Sequence, residues 1–295
     1  MTKPNSLITL SILGILVLMA SAGCTNARAD KELHKAPLAE MRRSHKTELM
    51  EPGPNPAEYE NTRPNGVEEV KYDSDGRKLL AWIVKPNLDG KRPAVLFAHG
   101  GEALGESDVE AIMPFVNAGY LVMLPAWRGE NGNPGNYEMC YGEVDDAVNA
   151  LEYLSKRKDV DKNMICAAGH SIGGTIVMLL AQSTDKLKKA TACGGLPAMN
   201  TFFGAYPDAP FVNNSLELAL RSPREYVQDL SCPLRLYYGS DSGERRMKSL
   251  AKAMVEKGRK AGKTIEIVDI PGEDHFGALS QAIPQMVQYF STNNN

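Results

Sequence analysis

"AAGHSIGGTIVML", residues 167–179, sets a lone serine between two small-residue corners, with an apolar run before it and another after it. A Gly/Ser turn can produce G-x-S-x-G by chance. A strand that ends, turns tightly around Ser171 and feeds straight into a helix is a different object, a nucleophile elbow. The elbow holds its serine in a strained backbone conformation, so Gly169 and Gly173 must be small enough for strand and helix to approach. The helix that follows aims the positive end of its dipole at the site and favours negative charge there. Ser171 is the candidate nucleophile. The rest of the chain must supply a base, an acid, an oxyanion hole and the right strand order.

From residue 67 the pattern is regular. Short β-rich runs stand at 67–72, 79–84, 94–99, 120–125, 164–169, 190–195, 234–239 and 265–270. The first two read as an antiparallel pair turning at "DSDG" (73–76). Helix-length segments lie between the later ones, at 106–119, 142–157, 173–183 and 245–262. In the second of these, Val144, Val148, Leu151 and Leu154 recur at helical spacing. Strands alternating with helices predict an α/β protein, an eight-stranded mostly parallel sheet with helices on both faces. Eight strands with an antiparallel start is the count of the α/β-hydrolase fold. Function in such a sheet collects at the carboxyl ends of the strands.

Each candidate falls at such an end. Of the five histidines, His34 and His45 precede the sheet, His99 ends the third strand, and His170 adjoins the serine with its side chain expected to point away. His275, in "PGEDHFG" (271–277) after the last strand, is left as the base. The acid should come between serine and histidine in chain order. In "YYGSDSGE" (237–244), Asp241 is the first candidate and Glu244 the reserve. Asp274 is adjacent to His275, and neighbours in sequence rarely orient one another's rings. Two backbone N–H groups should meet the oxyanion, one from Ile172 and one from Gly101 in the "HGGE" loop (99–102).

These pieces resemble the catalytic domain of the prolyl oligopeptidase family, especially its acylaminoacyl-peptidase-like and dienelactone-hydrolase-like branches. The matching stretches are "FAHGG" (97–101), "GYLVMLPAWRGENG" (119–132), "GEVDDAVNALEYL" (142–154), "VDKNMICAAGHSIGG" (160–174), "SPREYVQDLSCPLRLYYGS" (222–240) and "DHFG" (274–277). They run in order over most of residues 70–290. The resemblance implies an α/β-hydrolase fold, a serine nucleophile and no cofactor or metal. Two departures stand out. Such enzymes usually carry the acid three residues after the glycine of the seventh strand, whereas Asp241 is two after Gly239. The roughly 65 residues ahead of the domain also cannot form the β-propeller that often precedes it.

Those leading residues divide in two. "LITLSILGILVLMASA" (7–22) is a 16-residue apolar run after a short positive start, too short for the roughly 20 residues of a spanning helix. It reads as a signal peptide over 1–23. "SAGC" (21–24) resembles a bacterial lipobox in which Cys24 is lipidated, although Ser21 stands where an aliphatic residue is usual. "ASA" (20–22) suits ordinary cleavage instead. Either route leads to the cell envelope, lipid-anchored or periplasmic. Residues 24–65, with the Pro/Asn/Gly-rich stretch 51–66, read as a tether or irregular lead-in, and 66–295 as the catalytic domain.

A 295-residue chain with 43% hydrophobic residues, 23% charged residues and a net charge of −3 is ordinary globular material. It offers no basic footprint for nucleic acid. Membrane association is expected only through the N-terminal lipid, and composition is silent on oligomeric state. Cys140, Cys166, Cys193 and Cys232 form no C-x-x-C pair, and buried thiols are expected at Cys166 and Cys193.

The stretch 196–222 reads as a short cap, with Phe202, Phe203, Tyr206 and Phe211 available to line an acyl pocket or to pack the cap down. Trp127 and Arg128 follow the fourth strand at the same end; Arg128 could grip a carboxylate or tie its own loop. The parts describe an exported serine hydrolase cleaving ester or small amide bonds through Ser171, His275 and Asp241, with a small-molecule ester or a short peptide as the partner it would take. An oligopeptidase or aminopeptidase is the second reading. A non-catalytic α/β-hydrolase-fold binding lipoprotein is the third, because fold alone never proves activity.

Overall fold

The structure is a computed structural model that describes residues 33–56, 62–199 and 209–292. The signal segment, Cys24, Phe202, Phe203 and Tyr206 lie outside the described residues. Residues up to Pro37 form a separate unit, and the fold is that of Leu38–Asn295.

Eight strands form one sheet: β1 (Glu68–Ser74), β2 (Arg77–Val84), β3 (Arg92–Ala98), β4 (Leu121–Pro125), β5 (Val160–His170), β6 (Lys189–Cys193), β7 (Leu234–Tyr238) and β8 (Ile265–Asp269). Their order is β1-β2-β4-β3-β5-β6-β7-β8. β2 runs antiparallel to both β1 and β4, and every other pairing is parallel. The burial follows from position. β4 and β6 are buried at all five residues, as parallel strands covered on both faces must be. Edge strand β1 alternates buried or half-buried with exposed positions.

The helices are α1 (Leu38–Ser44), α2 (Glu106–Asn117), α3 (Gly142–Ser155), α4 (Ile172–Ser183), α5 (Ser215–Leu220), α6 (Ser242–Lys260) and α7 (Gly277–Ser291). On one face, α2 and α7 share a core cluster with Trp82, Val95, Phe97, Val122 and Tyr237. Phe115 of α2 stacks on Phe290 of α7 at a 5.8 Å centroid separation. α3 and α4 pack against each other, and the buried α4 has an apolar surface nearly all round.

The order of strands determines where chemistry can sit. From β3 the chain crosses to β4 on one side and afterwards to β5 on the other, so the strand order reverses between β3 and β5. Ligands in such sheets bind in the crevice beyond that reversal. Here Ala98 pairs with Gly169, which brings the loop after β3 beside the end of β5.

Residues 38–56, expected to be part of a tether, are instead packed on the domain. Leu38 and Met41 are buried, and the buried Arg42 donates to the carbonyls of Leu220 and Tyr141. Its guanidinium also lies 4.4 Å from the centre of the Tyr141 ring. Leu49 forms an isolated antiparallel bridge with Phe211, joining the lead-in to the cap. Pro and Gly density reports how a segment bends, not what it meets in space.

Candidate active site

Ser171 directly follows β5 and caps α4 with φ 55° and ψ −122°. A non-glycine residue rarely holds positive φ, and the strain is retained because the surroundings dictate it. Its N–H donates to the Cys193 carbonyl at 2.8 Å. The flanking glycines are sterically required: a Cβ on Gly173 would overlap the carbonyl oxygens of His99 and Ala98, and one on Gly169 would lie 2.5 Å from the Gly173 carbonyl oxygen.

His275 sits in the turn between β8 and α7, and its ring packs on Gly194. The carboxylate on that ring belongs to Glu244, with Oε1 2.6 Å from Nδ1. Oε2 accepts from the Gly239 N–H at 2.8 Å, and the side chain is 0% exposed. Asp241 does a different job. Its Oδ1 accepts the Glu244 N–H at 2.8 Å and caps α6; its Oδ2 accepts the His275 backbone N–H at 3.2 Å. Those two N–H donors, Glu244's foremost, hold its carboxyl below the ordinary aspartate value. The expectation that Asp241 meets the imidazole is therefore corrected to Glu244. The reason is local: Asp241 opens the helix, and a side chain in the first turn leans back toward the N-terminus. "DSGE" (241–244) carries the cap-x-x-Glu spacing of a helix start, a signal that could have identified Asp241 as a cap.

His170 does not simply point away. Its ring lies 4.8 Å from the His275 ring, and Nε2 is 2.9 Å from the His275 carbonyl oxygen. A carbonyl only accepts, so Nε2 carries the proton. Burial pushes the His170 pKa down, against the charged form of the ring.

On the other side of the serine, a Cβ on Gly101 would be 4.0 Å from Ile172 Cγ2, so the two candidate oxyanion donors are neighbours. Beneath them lies a buried charge pair. His99 Nε2 is 3.3 Å from Glu130 Oε2 without hydrogen-bond alignment. Burial alone would lower the His99 pKa, but Glu130 overrides it and raises the value to about 9. Trp127 stacks on His99 and is 1% exposed. It is a floor under the loop and not a pocket wall, a correction to the sequence expectation. Arg128 ties its own loop: Nε and Nη2 meet Asp146 at 2.9 and 2.7 Å, and Nη2 meets Asp75 at 3.0 Å.

Gly101, Ser171, Ile172 and His275 line one cavity of about 490 Å³. Its walls are mostly apolar, from Met139, Leu196, Met199, Met247 and Leu250, with Arg246 as the charged side chain. Met247 and Leu250 follow Glu244 at three-residue steps along α6, so one helix face bears both the carboxylate and two wall residues. That three-residue spacing is visible in the sequence. Met139 and Cys140 hold positive φ (50° and 63°) in the loop before α3. The Glu143 carboxylate steadies that loop by accepting from Glu138 N at 2.6 Å and Tyr141 N at 3.1 Å. Phe211 is 1% exposed beneath the Arg221 guanidinium, 3.7 Å from its centre, so it packs the cap down. All four described cysteines are free and buried.

The chain is similar to known proteins in sequence and in fold. The family profile described as X-Pro dipeptidyl-peptidase (S15 family) matches residues 75–241. The uncharacterized peptidase YtmA of Bacillus subtilis is 30% identical over 182 residues, covering 58% of this chain and 71% of YtmA. Dipeptidyl-peptidase 5 of Porphyromonas gingivalis is 26% identical over 233 residues, 69% of this chain but 34% of that protein. In structure, the acylaminoacyl peptidase of Pyrococcus horikoshii superposes with a TM-score of 0.65 at 17% identity, over 78% of this chain and 42% of that one. The chain thus spans most of YtmA and well under half of the two larger peptidases.

Proposed function

We propose, for a chain that belongs to the X-Pro dipeptidyl-peptidase (S15) family and is a serine hydrolase of the α/β-hydrolase fold, that Ser171, His275 and Glu244 hydrolyse small esters or amides with an apolar acyl group. The observation carrying this reading is that Ser171 and His275 open onto a single cavity with predominantly apolar walls. Nδ1 of His275 is committed to Glu244, which leaves Nε2 to take the Ser171 proton. Ser171 Oγ attacks the carbonyl, and the oxyanion rests on the Gly101 and Ile172 N–H groups. The imidazolium, stabilised by Glu244, returns the proton to the departing alcohol or amine. Water repeats the sequence on the acyl-enzyme.

Oligopeptidase activity is the second reading, favoured by the S15 match and by relatives that are peptidases by name. Against it, no carboxylate stands among the described residues lining the cavity to hold a peptide's free ammonium. The deciding comparison is kcat/KM on p-nitrophenyl acetate and butyrate against aminoacyl and X-Pro p-nitroanilides. Butyrate should exceed acetate by about tenfold, from roughly 0.8 kcal/mol per buried methylene, and both should exceed the anilides. The reverse ranking makes the protein a peptidase.

We further propose that the mature chain works in the cell envelope, anchored through Cys24. "SAGC" after a 16-residue apolar run supports this. Among the described residues, no helix is long and apolar enough to cross a membrane. Cys24→Ser should move the protein from the membrane fraction to the soluble one. A wild type that is already soluble and cleaved after Ala22 rules the anchor out.

A further inference from the structure

One buried side chain of the lead-in reaches the loop that carries Gly101. Asn55 is 4% exposed, and its N–H donates to the Gly129 carbonyl at 2.9 Å. Two residues earlier, the Gly53 carbonyl accepts from Tyr137 N at 2.8 Å, so the backbone is held at Gly53 and again at Asn55. The side-chain Nδ2 donates to the Gly101 carbonyl at 3.0 Å and to Glu130 Oε1 at 2.6 Å. Both partners are acceptors only, which fixes the orientation of the amide. Glu130 is itself immobilised: Oε2 accepts from Trp127 N at 3.3 Å and lies 3.3 Å from His99 Nε2.

The loop needs such support. Gly100 and Gly101 carry no side chain to restrict their backbone, and a donor to a developing oxyanion works only if it is already aimed. Farther along, Asn131 grips Leu104 by both its N–H and its carbonyl, at 3.1 and 2.9 Å. That anchors the far end of the loop; nearer the serine, His99 Nδ1 meets the Gly100 carbonyl at 3.1 Å and Asn55 holds that of Gly101.

We infer that Asn55, supplied by the segment ahead of the sheet, is a positioning residue for the oxyanion hole: the Asn55 amide locks the Gly101 carbonyl to Glu130 and so aims the Gly101 N–H. This rests on the catalytic reading of Ser171. It also makes the lead-in part of the working enzyme.

The test is steady-state ester hydrolysis by the full chain. Asn55→Ala removes the donor, and Asn55→Asp sets a carboxylate against two acceptors. Each should lower kcat by about 10- to 100-fold, somewhat less than outright loss of an oxyanion donor, with KM held within about twofold. The phosphonate labelling rate should fall in parallel. Thr47→Val serves as the control. It removes the hydroxyl that meets Glu217 and Arg221 at 2.9 and 2.8 Å, without touching the loop. Its melting temperature should drop while its kcat stays. If Asn55→Asp does not fold, Asn55→Ala decides. The inference is overturned if Asn55→Ala keeps its kcat, if KM rises in place of the kcat loss, or if Thr47→Val loses the same kcat. A wild type without turnover defeats the catalytic reading and this inference together; an active wild type with unaffected Asn55 variants defeats the inference alone.

Discussion

Replacing Ser171 with alanine is expected to cut turnover by about 10⁶-fold and to abolish labelling by a fluorophosphonate. The loss is large because nucleophile and base act as one unit: without an acceptor of the acyl group, His275 has no proton to move. A residual rate of about 10³-fold over water should survive through the oxyanion donors and the cavity. Stability should barely change, since alanine keeps the Cβ that the φ 55° conformation already accommodates. Mass analysis of the labelled wild type should place the adduct on the peptide containing Ser171. An adduct elsewhere, or labelling that persists in Ser171→Ala, moves the nucleophile to another residue.

Glu244→Gln and Asp241→Asn should separate sharply. For Glu244→Gln a loss of about 10⁴ in kcat is expected, with KM little altered. The remaining amide oxygen must choose between the Gly239 N–H and His275 Nδ1, both of which the carboxylate serves at once. Turning the amide nitrogen toward Nδ1 would also enforce the wrong tautomer. Asp241→Asn retains an oxygen for the Glu244 N–H but sets an amide donor against the His275 N–H. The cap itself is retained, because asparagine and aspartate cap about equally well; the His275 N–H loses its acceptor, and kcat should fall by less than about tenfold. Because the Asp241 pKa is lowered in the fold, its contribution is whole at neutral pH. It disappears only as pH falls below the ordinary aspartate value and through the lowered one. Should Asp241→Asn lose 10⁴-fold and Glu244→Gln remain active, the acid is Asp241 and the packing of Glu244 on the imidazole is incidental.

The sheet was legible because its signals are local. All eight runs became strands, and the Asp75–Gly76 turn joins β1 to β2 where "DSDG" stands. The elbow was legible for the same reason: Gly169, Ser171 and Gly173 report a steric requirement within five residues. Elimination among five histidines reached His275, since a loop after the last strand can face only one end of the sheet.

The misreadings share a cause. Asp241 against Glu244 depends on where α6 begins, and a helix start one residue either way rotates side chains by about 100°. Trp127 followed a strand at the correct end, yet it faces down onto His99 and not into the cavity. Nothing local distinguishes those two directions. The lead-in looked like a tether because Pro, Asn and Gly dominate part of it, while its partners, Phe211, Tyr141 and Gly101, lie 46 or more residues away in the chain.

By itself, then, the sequence determined an α/β-hydrolase sheet, a serine at its elbow and a histidine at its far loop, because periodicity and glycine sterics act between near neighbours. Only the tertiary structure decided which carboxylate touches the imidazole, that Trp127 and Phe211 pack away from the cavity, and that Asn55 reaches the oxyanion loop. Those outcomes depend on side-chain direction across contacts distant in sequence, where a shift of one residue sends the same group elsewhere.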